Sequence, residues 1–412
     1  MLELLFLLLP IAVAYGWYMG KRSVKYEKQS DEERISKNIV NGINFLLSDQ
    51  KEQALELFSA LAKEKGDDFE AHLTLGNLLR TRGQIDSALQ IHESILASDA
   101  LTFEQRLLAK EHLGKTYLQA GLLDRAETIF NSLLDEDDYK IHASKQLLTI
   151  HQSTSEWDKA LIYAKNLLKT DGDYYETIIS QIYCELATIQ LNNKNHIGAV
   201  DNLKYALKID NRCARASLML AKIFREFNSP YIALFFYQKI LEQDELILLD
   251  SLEIIINCYT ELNADIESID EHSKFLSRLD LKPEDIKIMS LLDFLHNIVE
   301  QDIGSEAHIF YVNFLREKDQ LNAAIEHLKK SIFKRPTLKL LKLFIELQIE
   351  SQSNANTHTS LMILRDIINE QIMKKPKYRC RGCGFASHTL YWHCPSCKQW
   401  ASIYLIKGID GQ

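Results

Sequence analysis

Four cysteines near the end of the sequence carry its most specific chemistry. Cys380 and Cys383 read Cys-Arg-Gly-Cys-Gly, and after ten intervening residues Cys394 and Cys397 read Cys-Pro-Ser-Cys. A Cys-x-x-Cys turn aims two sulfurs at one point, and a second turn facing it completes a tetrahedral thiolate site. Gly382 and Gly384 let the first turn wrap tightly. Such a site assembles from reduced thiols, which points to a reducing compartment rather than to two disulfides. Zinc is the expected metal for Cys380, Cys383, Cys394 and Cys397, with iron as the alternative. His393 adjoins Cys394, but four sulfurs already fill a tetrahedral shell.

Little else in the sequence has catalytic spacing. Gly-rich phosphate loops, HExxH, GxSxG and paired-carboxylate motifs are all missing, so an enzyme is not expected. His72, His92, His112 and His142 recur within a helical pattern and are expected on its surface or in a groove. Cys184, Cys213 and Cys258 sit in apolar helical contexts and are expected as buried thiols. Trp157, just ahead of Ala160, reads as packing. The acidic run Asp135–Asp138 reads as a solvated connector.

The elements that must position the cysteines are helices. Only 15 Gly and 6 Pro occur in 412 residues, too few for an all-β chain. Ala54, Ala88, Ala126, Ala160, Ala199 and Ala233 recur at spacings of 34 to 39 residues. A second ladder runs twelve residues ahead of it: Gly42, Gly76, Gly114, Leu148, Ala187 and Ala221. This is the period of tetratricopeptide repeats, paired helices that cross at small residues and stack into a solenoid with a partner-binding groove. Six clear units are expected across 35–243, a degenerate one near 251–280 and another over 305–336. A last helix pair is expected at 338–350 and 359–373, with an irregular junction over 281–304 and a polar loop over 351–358.

The two ends differ from this body. From Leu2, nineteen residues form an apolar run broken only by Glu3 and followed by Lys21, Arg22 and Lys25. As a helix it would span about 28 Å, enough for a bilayer core. Positive charge after the run and none before it predicts an uncleaved anchor, N-terminus outside and the bulk cytoplasmic. At the other end, residues 371–412 carry seven Lys or Arg against one acid, whereas the remainder sums to −15. A basic ribbon with Tyr378, Phe385, Trp392 and Trp400 suits RNA stacking on paper, but the acidic body argues against a nucleic-acid partner.

An anchor, a repeat array and paired knuckles, ending in Thr389-Leu-Tyr-Trp-His-Cys-Pro-Ser-Cys397 and Gly408-Ile-Asp-Gly411, resemble the lipopolysaccharide assembly protein B family of Gram-negative bacteria. The resemblance implies an all-α fold: a tetratricopeptide-repeat solenoid with an N-terminal transmembrane helix and a small C-terminal rubredoxin-like metal domain built on four cysteines. The expected divisions are an anchor at 1–20, a linker at 21–34, the solenoid at 35–373 and the metal domain at 374–412. It further implies an inner-membrane adaptor that presents the lipid A pathway deacetylase to a membrane-anchored AAA+ protease. A lipopolysaccharide-sensing inner-membrane protein is the implied antagonist, and a scaffold without proteolytic coupling is the alternative. The family's metal ligands fall on Cys380, Cys383, Cys394 and Cys397. Lys398 stands where a rubredoxin usually has glycine, which counts against iron electron transfer.

Overall fold

The computed structural model describes residues 50–64, 69–262, 273–351 and 355–411, with isolated positions ahead of residue 50. The expected anchor and linker therefore lie outside the described residues, apart from Tyr15 and Trp17–Met19. Among the described residues no helix is long and apolar enough to cross a membrane. The chain forms two compact units, Met1–Ser155 and Glu156–Gln412.

The first unit holds α1 (Lys51–Glu64), α2 (Phe69–Thr81), α3 (Ile85–Ala97), α4 (Phe103–Gln119), α5 (Leu123–Asn131) and α6 (Asp137–Ser153). These pair as antiparallel hairpins, and both small-residue ladders lie at the crossings. Ala54, Ala88 and Ala126 are fully buried. A Cβ on Gly76 would stand 2.4 Å from His92 Nε2, and one on Gly114 would stand 2.8 Å from Phe130 Cζ. The glycines thus let a ring on the second helix press against the backbone of the first. Gly83 and Gly121 turn the chain between paired helices at φ of 79° and 75°. Thr102 closes a capping box with Gln105 at the start of α4.

His92 departs from expectation. It is fully buried, because it occupies the ring position that Phe58 and Phe130 fill in neighbouring hairpins. Its Nδ1 lies 2.9 Å from Thr116 Oγ1. Burial, followed by nearby His112 and Arg80, lowers its pKa to about 4.

The second unit continues with α7 (Trp157–Leu167), α8 (Gly172–Asn192), α9 (His196–Ile209), α10 (Ala214–Glu226), α11 (Pro230–Gln243), α12 (Glu245–Glu261), α13 (Ser273–Arg278), α14 (Leu291–Glu300), α15 (Ser305–Glu317), α16 (Leu321–Lys334), α17 (Leu338–Ser351) and α18 (Ala355–Lys374). Ala160, Ala187, Ala199, Ala221, Ala233 and Ala324 are fully buried at the crossings. The longest repeat spacing, 39 residues from Ala160 to Ala199, contains the longest first helix, α8, with 21 residues. Where a turn glycine is missing, Lys194, Asn228 and Asp319 adopt the left-handed conformation instead. Two expectations need correction. The irregular junction at 281–304 contains α14, whose Phe294, Leu295 and Ile298 are buried. The polar loop is shorter than 351–358, because α18 already begins at Ala355. Cys184, Cys213 and Cys258 are buried free thiols, as expected.

The all-α reading also misses a small sheet at the end of the chain. Strands β1 (Tyr378–Cys380), β2 (Ala386–Ser387) and β3 (Ile403–Leu405) form an antiparallel sheet in the order β2-β1-β3. At two or three residues each, they are too short to show alternation in a sequence.

Candidate metal centre

The two knuckles repeat one hydrogen-bonding scheme. In the first, Cys380 donates its backbone N–H to the Phe385 carbonyl at 2.8 Å, and Gly384 N–H returns to the Cys380 carbonyl at 3.0 Å. In the second, Cys394 donates to the Gln399 carbonyl at 2.9 Å, and Lys398 N–H returns to Cys394 at 3.0 Å. The equivalent residues Gly384 and Lys398 are both left-handed, at φ of 77° and 59°. Lys398 therefore occupies a glycine position at a conformational cost of about 1 kcal/mol. Gly382 admits the Gln399 side chain, whose Oε1 would lie 2.0 Å from a Cβ there.

This symmetry brings together the four sulfurs singled out by their spacing. All lie within 4.8 Å of one another. Cys380 and Cys397 are 3.6 Å apart, and Cys383 and Cys394 are 3.7 Å apart. A disulfide requires about 2.05 Å. Tetrahedral zinc–sulfur bonds of about 2.3 Å place sulfurs about 3.8 Å apart, so the donor set fits a metal ion. Burial opposes the Cys380 thiolate, but Ser402 and the backbone N–H groups of Cys383 and Gly382 bring its pKa down to about 6. At Cys397 the Gln399 N–H favours the thiolate, yet desolvation and the three neighbouring sulfurs push its pKa up to about 12. Four thiolates so close together need a cation between them. His393 is engaged elsewhere: Nε2 donates to the Lys398 carbonyl at 2.7 Å, and its ring stacks on Trp400 at 4.3 Å.

The head lies against the first helices of several hairpins in the second unit. Tyr378 Oη donates to Asp250 Oδ2 on α12 at 2.5 Å, and Lys377 pairs with the same carboxylate. Lys407 pairs with Glu245 at 3.3 Å. Trp400 meets Trp157 edge to face at 6.0 Å between centroids, which extends the packing role read for Trp157. Trp392 lies beneath Arg215 of α10 at 5.6 Å. Arg215 is itself held by Gln181 and Glu185 on α8, at 3.2 and 2.8 Å. The C-terminal segment continues the contact: Ser305 Oγ lies 3.4 Å from the Gly411 carbonyl oxygen, and Leu338 N–H donates to Ile409 at 2.9 Å. Tyr378, Trp392 and Trp400, three of the aromatics considered for base stacking, are thus engaged within the protein. Sequence reasoning did not find Asp250 or Arg215. Nothing marks one Asp or Arg among many when its partner lies more than a hundred residues away.

In the first unit the same class of face carries polar side chains that bond across repeats. His112 Nδ1 lies 2.7 Å from Asn77 Oδ1, and Arg80 donates to Gln119 Oε1 at 3.4 Å. His142 lies 3.1 Å from Glu111, which also takes Lys115 at 2.6 Å.

Residues 378–404 match the family described as rubredoxin metal binding domain. The whole chain is 39% identical over 411 residues to lipopolysaccharide assembly protein B of Escherichia coli (strain K12), with 100% of each chain covered. The protein of the same name from Haemophilus influenzae is 36% identical, with 98% of each covered. A solved structure, the C-terminal part of a TPR repeat-containing protein from Cytophaga hutchinsonii, aligns with TM-score 0.40 and 15% identity. That alignment covers 60% of this chain and 99% of the other.

Proposed function

The chain belongs to the lipopolysaccharide assembly protein B family, and on that premise we propose that it serves lipopolysaccharide assembly as a non-catalytic adaptor on the bacterial inner membrane. The adaptor presents the lipid A pathway deacetylase to a membrane-anchored AAA+ protease, and degradation of the deacetylase limits lipopolysaccharide output. A lipopolysaccharide-sensing inner-membrane protein opposes it. The observation that carries this reading is likeness to the named relatives along the whole chain. The anchor we propose over 1–20 would confine the adaptor to the bilayer and so raise its effective concentration near a membrane protease.

Zinc is the metal we assign to Cys380, Cys383, Cys394 and Cys397. When bound, it supplies the cross-link that makes a domain of this size stable. The protein's own part is the docking of β1 and the segment after β3 onto α12, α15 and α17, and of Trp392 onto Arg215 of α10. That docking covers the first-helix face of the second unit. The face left for the deacetylase is the one on α2, α4 and α6 in the first unit, lined by Asn77, Arg80 and His112.

The test follows the half-life of the deacetylase after protein synthesis is stopped, with and without this chain. A long-lived deacetylase in depleted cells supports the adaptor. An unchanged half-life removes it and leaves a scaffold without proteolytic coupling.

A further inference from the structure

The last hairpins of the second unit end in an exposed patch that neither the metal centre nor the adaptor role uses. Phe333, near the end of α16, is 89% exposed, and Met373, near the end of α18, is 73% exposed. Ile409 of the C-terminal segment is 56% exposed. The protein's own bonds gather the three at one end of the unit. Leu338, at the start of α17, donates its N–H to the Ile409 carbonyl at 2.9 Å. Lys375, two residues beyond Met373, pairs with Asp410 at 3.3 Å.

Lysines surround these side chains. Lys329, Lys330 and Lys334 project from the exposed part of α16, and Lys374 closes α18. Carboxylates are also present: Glu326 takes Lys330 at 3.0 Å, Glu370 takes Lys374, and Asp302 takes Lys334 and Arg335 at 3.2 and 3.6 Å. With Lys375 and Asp410 included, six cations meet four carboxylates, in a chain whose net charge is −9. Phe333 and Met373 thus stand largely free of protein contact, with Ile409 half exposed, where cations outnumber carboxylates by two. Protruding side chains of this kind suit a bilayer interface, where the apolar groups enter the acyl boundary and the lysine stems reach back to anionic headgroups.

We infer that the Phe333–Met373–Ile409 patch is a peripheral contact for an anionic phospholipid surface, which would orient the second unit on the membrane. The inference rests on the membrane location proposed above, and the test scores the two separately. The full chain is mixed with vesicles of phosphatidylcholine alone or with added phosphatidylglycerol, floated, and treated with a water-soluble amine-acetylating reagent. Mass spectrometry then reads the labelling rate of each lysine. On phosphatidylglycerol vesicles, Lys329, Lys330, Lys334 and Lys374 are expected to label about fivefold more slowly, the effect of one cation held at an anionic surface. Lys159, whose side chain is 53% exposed, serves as the unchanged reference. The double variant Phe333→Ser, Met373→Ser removes the protection, while circular dichroism confirms that helix content is kept. Equal labelling on both vesicle types overturns the inference. Protection already present without vesicles reports a protein contact and overturns it too. A chain that fails to float with neutral vesicles yet floats with phosphatidylglycerol loses the anchor and keeps the patch.

Discussion

At the scale of single residues, two buried side chains make testable statements. Cys394 is the one fully buried member of the four-sulfur cluster. Cys394→Ser is expected to abolish metal binding and unfold the head, because three sulfurs leave the tetrahedral shell open and the domain loses its cross-link. Elemental analysis of the purified variant checks this, and a full complement of metal would refute it. In the same assay the wild type decides between zinc and iron. His92 supplies the second statement. Its folded pKa of about 4 lies below the ordinary 6.5 because burial disfavours the imidazolium. The stability that neutral His92 contributes is therefore complete above the ordinary value and is lost as pH falls from 6.5 towards 4. Between pH 7 and pH 5 the first unit should lose about 2 kcal/mol from this residue. His112, also lowered to about 4 by burial and then by Lys115, adds to the loss in the same window. His92→Phe restores the ring that other hairpins use and should flatten the pH dependence by about half. Hydrogen exchange across α3 and α4 at the two pH values measures it.

At the scale of the element, the helix crossing is the unit of stability. Gly114 faces the fully buried ring of Phe130. An added methyl group at 2.8 Å cannot be relieved by a side chain that has nowhere to move. Gly114→Ala should therefore destabilise the first unit by about 1–3 kcal/mol despite its better helix propensity. A urea titration followed by circular dichroism decides, and a stabilised variant would mean that the crossing opens freely. The turn position behaves differently. There Lys194 and Asn228 accept the left-handed geometry that Gly83 and Gly121 adopt without strain.

At the scale of the whole molecule, the head and the hairpins of the second unit form one structural object. Asp250 receives both Tyr378 and Lys377, and burial together with this carboxylate raises the Tyr378 pKa. Removing the acceptor by Asp250→Ala should loosen the head by about 1–3 kcal/mol, because the Tyr378 hydroxyl loses a charged partner. Limited proteolysis between α18 and β1 should become faster while metal content stays at the wild-type level. Proteolysis unchanged from wild type would show that Trp157, Arg215 and the C-terminal segment hold the head by themselves. In the first unit, Arg80→Glu reverses a charge on the face assigned to the deacetylase. It should lengthen the deacetylase half-life, whereas Gln119→Ala, which breaks the Arg80–Gln119 bond and keeps the charge, should not. If degradation is unaffected, that face is not the docking surface.

The sequence by itself determined the helical hairpins and the cysteine cluster. Both depend on local spacing: small residues recur where helices must cross, and a Cys-x-x-Cys turn converges two sulfurs within a few residues. Helix α14 escaped because ten residues between irregular segments offer too few turns for a clear period. His92 was misplaced because a histidine at a ring position shows its burial only through Gly76 and Thr116 on neighbouring helices. The tertiary structure alone decided what the head does with its aromatic and basic residues. Tyr378, Trp392 and Trp400 find Asp250, Arg215 and Trp157 across long stretches of chain. Those meetings depend on the accumulated geometry of the hairpin stack, which no local pattern encodes.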